Sequence, residues 1–129
     1  SLQLDHILQT TVTEVRDFLH CDRVLIVRMQ GDRGLVMAES VAAPWLAIGT
    51  TPIFDPCFQN GYAELYRQGR VTAKTDIEDG SLDPCYVELL RKFAVRANLV
   101  IPLLQHDSLW GLLIAHQCRT TRSWPTQEI

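Results

Sequence analysis

Apolar residues return every three or four positions near the N-terminus. Leu4, Ile7, Leu8, Thr11, Val15, Phe18 and Leu19 fall on one side of a helical wheel. That period predicts a helix over about residues 2–20, with Ser1 placed to cap it. The pattern changes at Arg23, after which Val24-Leu25-Ile26-Val27 is apolar and β-branched, the composition of a strand. Turn residues at Gln30-Gly31-Asp32-Arg33-Gly34 then reverse the chain, and 35–42 reads as the second strand of a hairpin.

Periodicity fails over residues 43–60. Pro44, Gly49, Pro52 and Pro56 break it, yet Trp45, Leu46, Ile48, Ile53, Phe54 and Phe58 are apolar. A long irregular segment this greasy is expected to be a functional loop packed on something. A short helix is expected over 61–68, ended by Gly69, and a short strand over 70–75. Asp83 and Pro84 supply the cap and first position of another helix, which places Cys85 second and gives it an apolar face of Leu89, Leu90 and Phe93. Two apolar strands, 95–104 and 109–118, flank the turn Gln105-His106-Asp107-Ser108, and Trp124-Pro125 begins an exit segment. This order predicts an α+β fold, a central antiparallel sheet with helices on its faces.

The chain has 129 residues, the size of one domain, so a single core over 1–129 is expected. A net charge of −3 without a basic stripe leaves no electrostatic footprint for nucleic acid. No apolar run reaches the roughly 18–20 residues that span a bilayer, and the N-terminus lacks signal-peptide organisation. A cytoplasmic location without membrane contact is the expectation. The four cysteines, Cys21, Cys57, Cys85 and Cys118, contain no Cys-x-x-Cys, and the four histidines show no ligand spacing, so no metal site is expected.

Two cysteines have neighbours that suggest chemistry. Cys85 falls in the first turn of a helix, where unsatisfied N–H groups and the macrodipole favour a thiolate able to attack an electrophile. The plainer reading is a small buried hydrophobe. Cys57 lies 28 residues upstream in Asp55-Pro56-Cys57-Phe58, inside the apolar loop. Asp55 reads either as a turn-forming residue or as a carboxylate that accepts N–H groups of a ligand. His116, in the last strand, reads as a core histidine or as a donor to a ligand carbonyl or carboxylate. Tyr86 reads as core packing or pocket wall.

Several segments together resemble one family. Asp55-Pro56-Cys57-Phe58, Tyr66-Arg67-Gln68-Gly69-Arg70-Val71, Asp83-Pro84-Cys85, Val95 through Pro102, Leu109 through Cys118, and Trp124 are similar to cyanobacteriochrome GAF domains, in order and over nearly the whole chain. The Asp-Xaa-Cys-Phe element resembles their dual-cysteine subgroup.

The resemblance implies a GAF fold and a photosensory role without enzymatic turnover. A linear tetrapyrrole, phycocyanobilin or phycoviolobilin, would be held through Cys85 to its ring A. Cys57 would form a second, reversible thioether at the central methine carbon, shortening the conjugated system and moving absorption to the blue. Light would isomerise the double bond between rings C and D. Asp55 would accept from pyrrole N–H groups, each such charge-assisted bond contributing about 1.5–3 kcal/mol, while Phe58, Tyr86 and His116 would contact the pigment. Tyr86 departs from the family, which has His after the attachment cysteine. Arg67, Arg70 and Arg96 are candidates for the propionates. The family pattern continues into a C-terminal signalling helix and an output module, of histidine kinase or chemotaxis type, beyond residue 129. Two other readings compete: an unpigmented GAF sensor of a small ligand such as a cyclic nucleotide, and a GAF-type methionine sulfoxide reductase using Cys85 and Cys57 as attacking and resolving thiols.

Overall fold

Alternation along the strands gives the sheet two different faces, and the cavity described below is built on one of them. The computed structural model describes residues 1–50, 52–55 and 57–125. Pro56 of the Asp55–Phe58 element and the exit segment beyond Pro125 lie outside them. The chain runs α1 (Leu2–Leu19), β1 (Arg23–Gln30), β2 (Arg33–Val41), β3 (Ile53–Phe54), a π-helical turn (Phe58–Tyr62), α2 (Ala63–Arg67), β4 (Thr72–Lys74), α3 (Pro84–Lys92), β5 (Ala97–Gln105) and β6 (Ser108–Gln117). The strands form one antiparallel sheet in the order β3-β2-β1-β6-β5-β4. The chain therefore has the expected α+β arrangement, with a six-stranded antiparallel sheet.

The two hairpins lie where the hydrophobic pattern places them. Their junction is the long-range β1–β6 pairing, with Arg23 opposite His116 and Val27 opposite Leu112. On one face Val24, Ile26, Leu99 and Ala115 pack under α1 with Val12, Leu19 and Trp124. On the other, Val100 and Leu112 pack with Phe58 and Tyr66. Burying such side chains contributes roughly 1.5–3 kcal/mol each.

α1 begins as expected, with the Ser1 hydroxyl accepting from the Leu4 N–H at 3.1 Å, but its buried side differs from the predicted stripe. Val12 is fully buried, flanked by Leu8, Val15 and Leu19, whereas Ile7 and Phe18 are 51% and 61% exposed. The sequence period identifies a helix, but two apolar stripes compete for the sheet and only one can face it. The irregular loop holds two features that periodicity does not reveal. Ile53 and Phe54 extend the sheet beside Gly34 and Arg33, and the π-helical turn precedes the predicted short helix. Gly69, at φ +95°, ends that helix as expected. Among the described residues no helix is long and apolar enough to cross a membrane.

A candidate ligand cavity

The second sheet face is the floor of a cavity. Leu25, Val27, Val100, Leu112, Ile114 and His116 line it from the strands; Asp55, Phe58 and Tyr62 line it from the loop and π-helical turn; Tyr86, Leu89 and Phe93 close it from α3. Phe58 stacks on Tyr66 with ring centroids 6.2 Å apart and planes 13° from parallel. The Tyr66 hydroxyl is held by the Thr72 hydroxyl at 2.9 Å. Largely apolar walls with a few converging polar groups are the ordinary make-up of a small-molecule site.

α3 begins at Pro84 with Asp83 as its N-cap residue, so Cys85 occupies the second helical position as expected. Pro84 and Cys85 at its start are exposed. The Asp83 carboxylate does not cap the helix; it accepts from the Tyr62 hydroxyl at 3.1 Å, tying α3 to the π-helical turn. Cys57 opens that turn and is buried. The Cys57 and Cys85 sulfur atoms are in contact, with Cα atoms 6.4 Å apart, a separation a disulfide can also span. Two thiols far apart in sequence thus meet.

Asp55 combines both of its sequence readings. Its Oδ1 accepts from the Cys57 N–H at 3.0 Å, and its carbonyl oxygen accepts from the Phe58 N–H at 3.1 Å, so it organises the turn while lining the cavity. Burial pushes its carboxyl above the usual carboxylate value, against those stabilising N–H groups. The Tyr86 hydroxyl accepts from Asn98 Nδ2 at 2.9 Å, and burial raises the phenol well above its ordinary value.

Two buried polar neighbours of His116 escaped the sequence reading. Arg23, His116 and Asn98 are direct cross-strand neighbours on β1, β6 and β5, and all three are buried, at 2%, 3% and 0% exposure. Arg23 Nη1 donates to the Phe93 carbonyl oxygen at 3.0 Å and meets His116 Nδ1 at 3.1 Å; Nη2 donates to the Leu46 carbonyl oxygen at 2.6 Å. Arg23 Nε lies 3.5 Å from Glu39 Oε2, an ion-pair separation without a well-formed hydrogen bond. Glu39 also accepts from the Ile48 and Gly49 N–H groups, at 2.7 and 3.1 Å. The available signal was alternation: Arg23 shares the strand face of Leu25 and Val27, where a charge must be paired if that face is buried.

The remaining sequence candidates separate clearly. Arg67 is occupied by Glu64 on the surface, at 2.8 and 2.6 Å. Cys21 and Cys118 are buried away from the pair, and burial pushes the Cys21 thiol up to about 11, consistent with a structural role. Among the described residues no His, Cys, Asp and Glu cluster could hold a metal ion.

Comparison with known proteins gives this architecture its context. A Synechocystis protein named as a methyl-accepting chemotaxis protein is 41% identical over 131 residues, covering all of this chain, which spans 13% of that protein. The crystal structure of the blue-light absorbing form of the Thermosynechococcus elongatus PixJ GAF domain superposes with a TM-score of 0.89 at 44% identity, covering 97% of this chain and 75% of that one. The phycocyanobilin-bound GAF domain of a cyanobacterial phytochrome gives 0.86 at 28% identity, with the same coverage of 97% and 75%. Residues 3–129 match the family model described as GAF domain, and the chain belongs to that family.

Proposed function

We propose that this GAF domain is a photosensor of the cyanobacteriochrome type that carries a linear tetrapyrrole covalently on Cys85. One observation carries the reading: an exposed cysteine in the first turn of α3 is in contact with a second cysteine, and the residues that follow the two in the chain, Tyr86 and Phe58, line an apolar cavity. The residues present fit such a group. Its extended apolar rings suit walls of Leu, Val, Ile and Phe, while Asp55 and His116 offer an acceptor and a ring nitrogen within the same cavity. Likeness to a blue-absorbing GAF domain and to a phycocyanobilin-bound one supports the pigment class.

When bound, the tetrapyrrole supplies an electrophilic ring A side chain, a conjugated system whose length sets colour, and a double bond that isomerises in light. Cys85 would be the permanent anchor, its thiolate favoured by the positive end of the helix dipole at the start of α3. Cys57, buried at the start of the π-helical turn, would form the reversible second thioether. Asp55 would accept pyrrole N–H groups, and Phe58 would pack on the rings. Tyr86 has no ring nitrogen, which favours retention of phycocyanobilin over isomerisation to phycoviolobilin. The output, of chemotaxis or histidine kinase type, would lie outside these residues, and a cytoplasmic location follows from the same reading.

The test is expression in cells that make phycocyanobilin, followed by denaturation and zinc-induced fluorescence of the protein band. Wild type is expected to fluoresce and Cys85→Ala to be dark; equal signals would remove Cys85 as the anchor. Cys57→Ala is expected to keep the pigment and lose a blue-absorbing state, and an unchanged dark spectrum would reject the second thioether. Acid-denatured spectra of Tyr86→His are expected to move toward phycoviolobilin. The sulfur contact also fits a thiol reductase. Turnover of methionine sulfoxide with a dithiol reductant, abolished in Cys85→Ala, would favour that reading instead.

A further inference from the structure

The rung formed by Arg23, His116 and Asn98 carries a consequence for the proton on the histidine. A guanidinium offers only donors. Arg23 Nη1, 3.1 Å from His116 Nδ1, must therefore meet a lone pair there. A neutral imidazole with its lone pair on Nδ1 carries its proton on Nε2. Protonating Nδ1 as well would put two cations side by side in a site with almost no water, which the surrounding low dielectric strongly disfavours. Burial and the Arg23 charge accordingly push the His116 pKa down to about 3.

We infer that Arg23 is a positioning residue for the cavity: it locks His116 as the Nε2–H tautomer, so the sheet floor presents one fixed donor to a ligand carbonyl or carboxylate. Arg23 is itself immobilised, by the Phe93 and Leu46 carbonyl oxygens and by the Glu39 carboxylate. Other groups lie on the elements packed around the His116 ring. Asn98 flanks it from β5, Tyr86 and Asp55 share the cavity from α3 and the loop, and Cys118 follows at the end of β6. Among the described residues no carboxylate forms an ion pair with His116, and burial and the Arg23 charge are what act on its proton. The tautomer belongs to the polypeptide and stands without a pigment. Only its use on a pigment carbonyl rests on the function proposed above.

Long-range proton–nitrogen correlation spectra of histidine-labelled, pigment-free protein test the tautomer directly. The expected His116 pattern is an unprotonated Nδ1 and a protonated Nε2, unchanged between about pH 5 and 8, the range in which an ordinary histidine titrates. A protonated Nδ1, or a titration near the ordinary value, would overturn the inference. Arg23→Lys keeps a donor and should preserve the pattern. Arg23→Met removes the donor and should yield mixed tautomers or a titrating ring. If that variant does not fold, the wild-type spectra still decide. In pigment-loaded protein, Arg23→Met should retain zinc-induced fluorescence while its absorption bands and photoconversion yield shift. Unshifted bands beside mixed tautomers would remove the ligand-facing role. Wild type that takes up no pigment would defeat the proposed function and leave the nitrogen result intact.

Discussion

Four thiols in one chain illustrate how position sets chemistry at the scale of the residue. Cys21 and Cys118 sit in places that penalise charge, and burial raises both, while Cys85 stands exposed at a helix start. His116 shows the same control with a measurable outcome. Its folded pKa, about 3, lies far below the ordinary value of 6.5. The unfolded chain therefore binds the extra proton as pH falls below about 6.5, and the stability contributed by the neutral ring is lost progressively toward about pH 3. Urea midpoints should fall between about pH 7 and 5, and His116→Gln should flatten that dependence. The raised Asp55 carboxyl acts with the opposite sign, and it is present in both proteins, so the difference isolates His116. A slope identical in the two would show that the ring is not buried neutral. The cysteines and His116 were legible as candidates from their local segments; Arg23 was not, because its neighbours lie 93 residues away at His116 and 70 away at Phe93.

At the level of the element, strand alternation sorts residues between the α1 side and the cavity side, and a local irregularity interrupts the sheet. The β1–β2 register shifts between Ile26 and Val27, next to two glycines with no room for a side chain. A Cβ at Gly34 would come 2.7 Å from Val27 Cγ1, and one at Gly111 would press on the Val27 backbone carbonyl. The first clash could be relieved by a side-chain shift; the second requires backbone movement. Gly111→Ala should therefore destabilise the protein by about 1–3 kcal/mol, read as a lower urea midpoint with an unchanged slope. A midpoint within error of wild type would mean that the β1–β6 backbones can part at no cost. Helix and strand positions followed directly from hydrophobic period. The π-helical turn and β3 did not, because their geometry is imposed by docking on β2 and on the cavity rather than by local preference.

For the molecule as a whole, the decisive contact is the one that joins the two hairpins edge to edge through β1 and β6. It places Arg23 beneath the loop that contains Leu46, Ile48 and Gly49, and Glu39 holds that loop and Arg23 together. Removing the carboxylate leaves a buried guanidinium without its counter-ion. Glu39→Ala should cost about 3 kcal/mol or more and raise hydrogen exchange at the Ile48 and Gly49 amides by an order of magnitude or more. Unchanged protection there would mean the loop is held by its apolar side chains alone. Local sequence was enough for the fold class, the two hairpins, the start of α3 beneath Cys85, and the family, because period, cap residues and motif spacing are properties of short segments. Which stripe of α1 is buried, how Cys57 reaches Cys85, and why His116 keeps one tautomer emerge only on assembly. Each depends on packing, solvent exclusion or a charge brought from a distant strand, and those forces have no counterpart in an isolated segment.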